Sequence, residues 1–123
     1  MIKIIYCMRR KADLTAEAFQ THWREMHAPI VLRHQQVLRL DRYVQTAPLG
    51  HPFNARVERP GVMVAPYDGV AELVWATQED FRHSFESDAA RAAQRELALD
   101  EAQFVDIGAS ARWICDERRL IGS

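Results

Sequence analysis

Two rhythms run along this chain, a period of two and a period of three to four, and they mark its elements. Ile2 to Arg9 is rich in β-formers and predicts a first strand. From Leu14 onward the rhythm is helical. At about 100° per residue, Phe19, Trp23, Met26 and Ile30 fall on one stripe, with His22 and His27 at its edges. Thr15 is a natural N-cap, and Glu17 places negative charge in the first turn, where the helix dipole favours it. Leu14 and Phe19 are spaced to close as a hydrophobic staple. Pro29 has no N–H, so the Glu25 carbonyl loses its helical partner and a disturbed turn is predicted around His27. A titratable ring then lies beside apolar surface and irregular backbone.

Leu40 to Gln45 alternates and predicts a second strand. Gly69 to Trp75 predicts a third, with Val70 and Val74 on one face and Ala71, Leu73 and Trp75 on the other. Thr77-Gln78-Glu79-Asp80 opens a second helix carrying Phe81 and Phe85 on one face, and Ser87-Asp88 restarts a helix through Ala89, Ala93 and Leu97. Phe104 to Cys115 is long enough for a last strand, with Gly108 as a bulge. This order predicts an α+β fold, a ferredoxin-like βαββαβ unit with an antiparallel sheet, in one domain over residues 1–123. The segment 48–66 holds four of the five prolines (Pro48, Pro52, Pro60 and Pro66). A connection of that length is usually a functional loop or an arm that reaches a partner.

Both faces of the strands are apolar: Ile4, Tyr6 and Met8 against Ile5 and Cys7 in the first, with the same duplication in the third. The chain's helices cover one face, so the other predicts a homodimer through sheet-to-sheet packing. Glu72 shares a face with Val70 and Val74 and needs a partner there. An arginine at the dimer interface is the expected one.

Composition narrows the function classes. Hydrophobic residues make up 48% and charged residues 27%, with net charge −1 and both signs interspersed. No basic stripe points to nucleic acid, and no run is long enough to span a membrane. The N-terminus lacks a signal-peptide pattern, and Cys7 and Cys115 lack CxxC spacing, so a cytoplasmic protein with free thiols is expected. No metal is expected, because His22 and His27 are five apart and point in different directions from one helix. A phosphate-binding glycine loop and a GxSxG elbow are both absent from the sequence, which argues against nucleotide cofactors and nucleophilic hydrolysis.

Several motifs resemble one family. Tyr-x-Met-Arg-Arg-Lys at 6–11, Leu-Thr-Ala-Glu-Ala-Phe at 14–19 and His-Trp-Arg-Glu-Met-His-Ala-Pro at 22–29 are similar to the EthD family. So are Arg42-Tyr43-Val44-Gln45, Tyr67-Asp68-Gly69-Val70-Ala71-Glu72-Leu73 and Phe104-Val105-Asp106. The resemblance implies a dimeric α+β barrel, two ferredoxin-like sheets packed face to face, with a pocket between sheet and helices. It also implies chemistry without cofactors, by histidine and tyrosine, on small cyclic or aromatic compounds. By that analogy His27 and Tyr43 stand at positions used by muconolactone-type isomerases, and His51 lies in a loop that can supply a further histidine. Leu73 stands where such a relative presents a thiol, so thiol catalysis from that position is excluded.

The residues themselves leave alternatives open. His27 is either a general acid–base or a helix-edge ring bonding a free carbonyl. Tyr43 either bonds a substrate oxygen or reaches water from its strand. Trp23, Met26, Leu73 and Trp75 form the expected pocket wall, although the tryptophans serve equally as core. The expected function is a cofactor-independent isomerase, cyclase, dehydratase or decarboxylase moving protons on a small cyclic, phenolic or enolisable metabolite. Two alternatives stand beside it. One is a non-catalytic accessory that binds hydrophobic metabolites for an oxygenase system. The other is a cofactorless monooxygenase.

Overall fold

The computed structural model describes residues 1–122. Strands β1 (Ile2–Met8), β2 (Arg42–Thr46), β3 (Gly69–Trp75) and β4 (Ala111–Cys115) form one antiparallel sheet in the order β2-β3-β1-β4. This is the predicted ferredoxin-like topology. Register places Ile2, Ile4, Tyr6 and Met8 opposite Trp75, Leu73, Ala71 and Gly69. Those eight residues share the face that the helices cover.

Helix α1 (Ala16–His22) starts where the sequence predicts, with the Thr15 hydroxyl accepting from the Ala18 N–H at 3.0 Å. It runs into a π turn (Trp23–His27), then α2 (Ala28–Arg33) and α3 (Gln35–Leu38). A short α4 (Asn54–Glu58) interrupts the proline-rich segment. After β3, Thr77 caps α5 (Gln78–Glu86) and Ser87 caps α6 (Asp88–Phe104).

Two apolar cores fill the space between sheet and helices. One gathers Phe19, Trp23, Phe104, Tyr6 and Met8; the other gathers Val31, Leu38, Trp75, Ala93 and Leu97. Tyr43 and Leu73 pack against both.

Four expectations are corrected. The last strand is Ala111–Cys115, because α6 continues to Phe104, which repeats the buried face of Ala90 and Leu97 seven residues on. Gly108 lies in a 3-10 turn (Ile107–Ala109) capped by the Asp106 carboxylate, and makes no bulge. The second strand begins at Arg42. Leu40 is buried in the turn after α3, where Arg39 takes a left-handed φ of 54°. The partner of Glu72 is Lys3 of the same chain, whose Nζ donates to Glu72 at 2.7 Å and to Glu117 at 2.8 Å.

On the sheet's other face Ile5, Val44 and Val70 are half-buried, and Trp113 is half-exposed at 49%. Within 48–66, Leu49, Phe53, Val57, Val62, Met63 and Val64 are exposed. The far end of the connection is tied down by Arg9, which donates to the Ala65 and Pro66 carbonyls and lies 4.1 Å over the Tyr67 ring. No helix among the described residues is long and apolar enough to cross a membrane.

Candidate functional site

The π turn determines what faces the interior. The Ala28 N–H bonds the Trp23 carbonyl five residues back, and the turn therefore takes one residue more than an α-turn. Pro29 supplies the cause, since it cannot donate to the Glu25 carbonyl. With the wider turn, Trp23 and His27 both point inward, at 1% and 7% exposure. Met26, expected on the pocket wall, is 59% exposed and lies instead at a shallow depression beside Leu14, Thr15 and His22. The straight-helix stripe misplaced it because it assumed 3.6 residues per turn throughout.

A cavity of about 590 Å³ lies between the sheet and the helices. Trp23, Leu73 and Trp75 line it, and His27 and Tyr43 are brought to the same space. Trp75 is fixed by its indole N–H, which donates to the Leu38 carbonyl at 2.8 Å.

His27 is held by α6. Its Nδ1 lies 2.7 Å from Asp100 Oδ2. Asp100 also takes His22, whose Nε2 is 3.1 Å from Oδ1. A carboxylate offers only acceptors, so it selects the His27 tautomer with the proton on Nδ1. Nε2 of the neutral ring then carries a lone pair for a ligand. Both rings also pack on Phe104, His22 stacked at 4.5 Å and His27 tilted at 5.2 Å.

Glu101, the next residue of α6, lines the same cavity with its side chain 15% exposed. The Tyr6 hydroxyl donates to its Oε2 at 3.4 Å, and the Arg112 guanidinium is 3.9 Å from that oxygen and above the Tyr6 ring. Burial pushes the Glu101 carboxyl above the usual carboxylate range, with Arg112, His27 and Tyr6 pulling it part of the way back. Burial, aided by the Glu101 charge, pushes the Tyr6 phenol up to about 12. Tyr43 is also pushed up by burial, against the Gln45 and Trp23 side chains. Its oxygen accepts from the Gln45 amide at 2.8 Å, so its own proton remains available to donate.

His51 is not brought to this cavity. It is exposed, its Nδ1 accepts from the Phe53 N–H at 3.0 Å, and its ring lies against Phe53. Asp100, Glu101, Tyr6 and Arg112 were absent from the sequence-based site. The signal for Glu101 was present in the sequence. It lies four residues after Leu97, on the buried stripe that ends at Phe104, where a carboxylate is out of place.

A model of the EthD domain matches residues 11–108. The chain belongs to the EthD family. Among solved structures, this EthD protein is similar to an EthD family protein of Bacillus halodurans. The TM-score is 0.63 at 19% identity, covering 96% of this chain and 99% of that one. It is similar to a dimeric ferredoxin-like protein of unknown function from Bacteroides fragilis, with TM-score 0.57, 10% identity and coverage of 94% and 95%. It also shares its fold with SnoaB, a cofactor-independent oxygenase of Streptomyces nogalater, with TM-score 0.52, 11% identity and coverage of 99% and 97%. No curated protein sequence is similar enough to count as a relative.

Proposed function

We propose that this EthD protein is a cofactor-independent enzyme that moves protons on a small cyclic, phenolic or enolisable metabolite held in the cavity. One observation carries the reading. A buried histidine is fixed by a carboxylate at 2.7 Å on the wall of a mostly apolar cavity. That is the arrangement of a general base with its orienting group. His27 Nε2 takes a proton from carbon next to a carbonyl, and the C–H electron pair becomes an enolate. Asp100 stabilises the imidazolium that results, and the Tyr43 phenol donates to the enolate oxygen. Trp23, Leu73 and Trp75 exclude water and shape the ring's berth. An accessory binder would need the apolar walls but not the His27–Asp100 pair.

The sheet's uncovered face supports a homodimer in which two sheets pack into an α+β barrel. Ile5, Val44, Val70 and Trp113 would be its contact residues. The exposed apolar residues of 48–66 fit an arm over the partner or over the cavity mouth. Cys7 and Cys115 are unpaired, as suits a reducing cytosol.

The test is proton exchange. The protein is incubated in D₂O with cyclic ketones, lactones and phenols, and incorporation of deuterium is followed by NMR. His27→Ala should lower exchange by about 10²-fold or more. Equal exchange by wild type and variant would remove the reading.

A further inference from the structure

Asp100 and Glu101 are consecutive residues of one helix, and they serve different parts of the site. Asp100 turns to His27 and His22, whereas Glu101 faces the cavity. A carboxylic acid on an apolar wall is costly to bury unless it is well paired, and the proton-transfer reading above, which rests on His27, Asp100 and Tyr43, gives Glu101 no role. The groups facing Glu101 are Tyr6 from β1, Arg112 from β4, His27 from the π turn and Tyr43 from β2, with Asp100 beside it on α6. Tyr6 occupies only one of its oxygens, and at 3.4 Å it does so loosely.

We infer that Glu101 is the second proton-transfer group of the site, the acid that completes a 1,3-shift in a cyclic unsaturated carbonyl compound after His27 has removed a proton. This rests on the proton-transfer reading of His27. The step balances without an oxidant or a cofactor. His27 Nε2 takes the α-proton, the C–H pair forms the dienolate, and the carbonyl π pair moves to oxygen. Glu101 O–H then gives its proton to the γ-carbon. The oxygen's pair re-forms the carbonyl, leaving the double bond between the α- and β-carbons. The imidazolium and the Glu101 carboxylate reset by proton return through solvent. A carboxyl held above its ordinary range by burial keeps its proton where a surface glutamate would have lost it.

The probe is 3-cyclohexen-1-one in D₂O. Two readouts are followed together: deuterium entering the α-carbon, which needs only the base, and the conjugated enone, which needs γ-protonation as well. Glu101→Gln should keep α-exchange within about threefold of wild type and lose enone formation by about 10²-fold or more, as expected for loss of a general acid. His27→Ala should lose both. Full enone formation by Glu101→Gln overturns the inference and leaves the base reading intact. Equal loss of exchange and conversion in Glu101→Gln also overturns it, by making Glu101 a support of the base. Absence of α-exchange in the wild type removes both readings together. The wild-type pH profile decides independently of any variant. Raising the pH should stop conversion while exchange continues, and conversion that persists alongside exchange overturns the inference.

Discussion

The indole of Trp23 rests on the backbone of Gly69. A Cβ built at Gly69 would lie 2.4 Å from Trp23 Cζ3 and 2.7 Å from Cη2, closer than real atoms approach. The first residue of β3 is thus glycine because the π turn pushes an indole into the sheet at that point. Gly69→Ala should cost about 1–3 kcal/mol by overpacking, read as a lower denaturation midpoint with the fold retained. The displaced indole should also change ligand affinity, because Trp23 lines the cavity.

Asp100→Asn offers His27 an amide in place of a carboxylate. The amide can donate to Nδ1 and so favour the tautomer whose proton sits on Nε2. Nitrogen-15 NMR of the His27 ring should show the two nitrogens exchanging roles, and α-proton exchange should fall by about 10²-fold or more. His22→Ala leaves the 2.7 Å contact of His27 in place and should cost much less. His51→Ala, with its ring outside the cavity, should leave exchange unchanged.

Stability against pH should reflect the Lys3 cluster at both ends of the scale. The Glu117 carboxyl is held down to about 2 by hydrogen bonds from Lys3 and Arg119. Its contribution is present above its ordinary value of 4.5 and is lost as the pH falls toward 2. Lys3 is raised above 10.5 by Glu117 and Glu72, so its contribution is present below 10.5 and is lost at higher pH. Glu101 acts in the opposite sense. Its raised carboxyl makes the folded state bind more protons, so it lowers stability as the pH rises above 4.5. Chemical denaturation should show Lys3→Met destabilised at pH 7, where Glu72 loses its Lys3 partner and Glu117 keeps only its arginine contacts, and much less so at pH 3. Glu101→Gln should be more stable than wild type at neutral pH.

Sedimentation should find a dimer at micromolar concentration, and obligate interfaces commonly bury about 2,000 Å² or more. Trp113→Lys places a charge on the half-exposed side of β4 and should shift the equilibrium toward monomer with secondary structure unchanged by circular dichroism.

Local signals read the fold well. Thr15, Thr77 and Ser87 each cap the helix that their position announces, and Gly69 to Trp75 has the predicted strand bounds. Pro29 announced a disturbed turn at His27. What the pattern could not supply was the size of that disturbance. A π turn and an α-turn place Met26 and His27 on different sides, and only packing decides between them. Asp100 was hidden for another reason. It touches residues 73 and 78 positions away, and no periodicity within α6 reports on what an opposing helix presents. Glu72 was seen to need a cation, yet Lys3 was overlooked because β1 and β3 become neighbours only through the sheet order.

The two apolar cores meet without merging, and Tyr43 and Leu73 are the residues that touch both. The cavity draws its walls from each side of that seam, with Trp23 from one core and Val31, Trp75 and Leu97 from the other. The open space in this molecule is therefore an unfilled joint and does not have to be hollowed out of a finished interior. Substitutions deep in either core, such as at Phe19 or Ala93, would trade stability while leaving the chamber's shape alone. A larger or smaller residue at position 73 would resize the chamber at the seam itself. The shape of the chamber and the firmness of the fold are thus set largely by different positions.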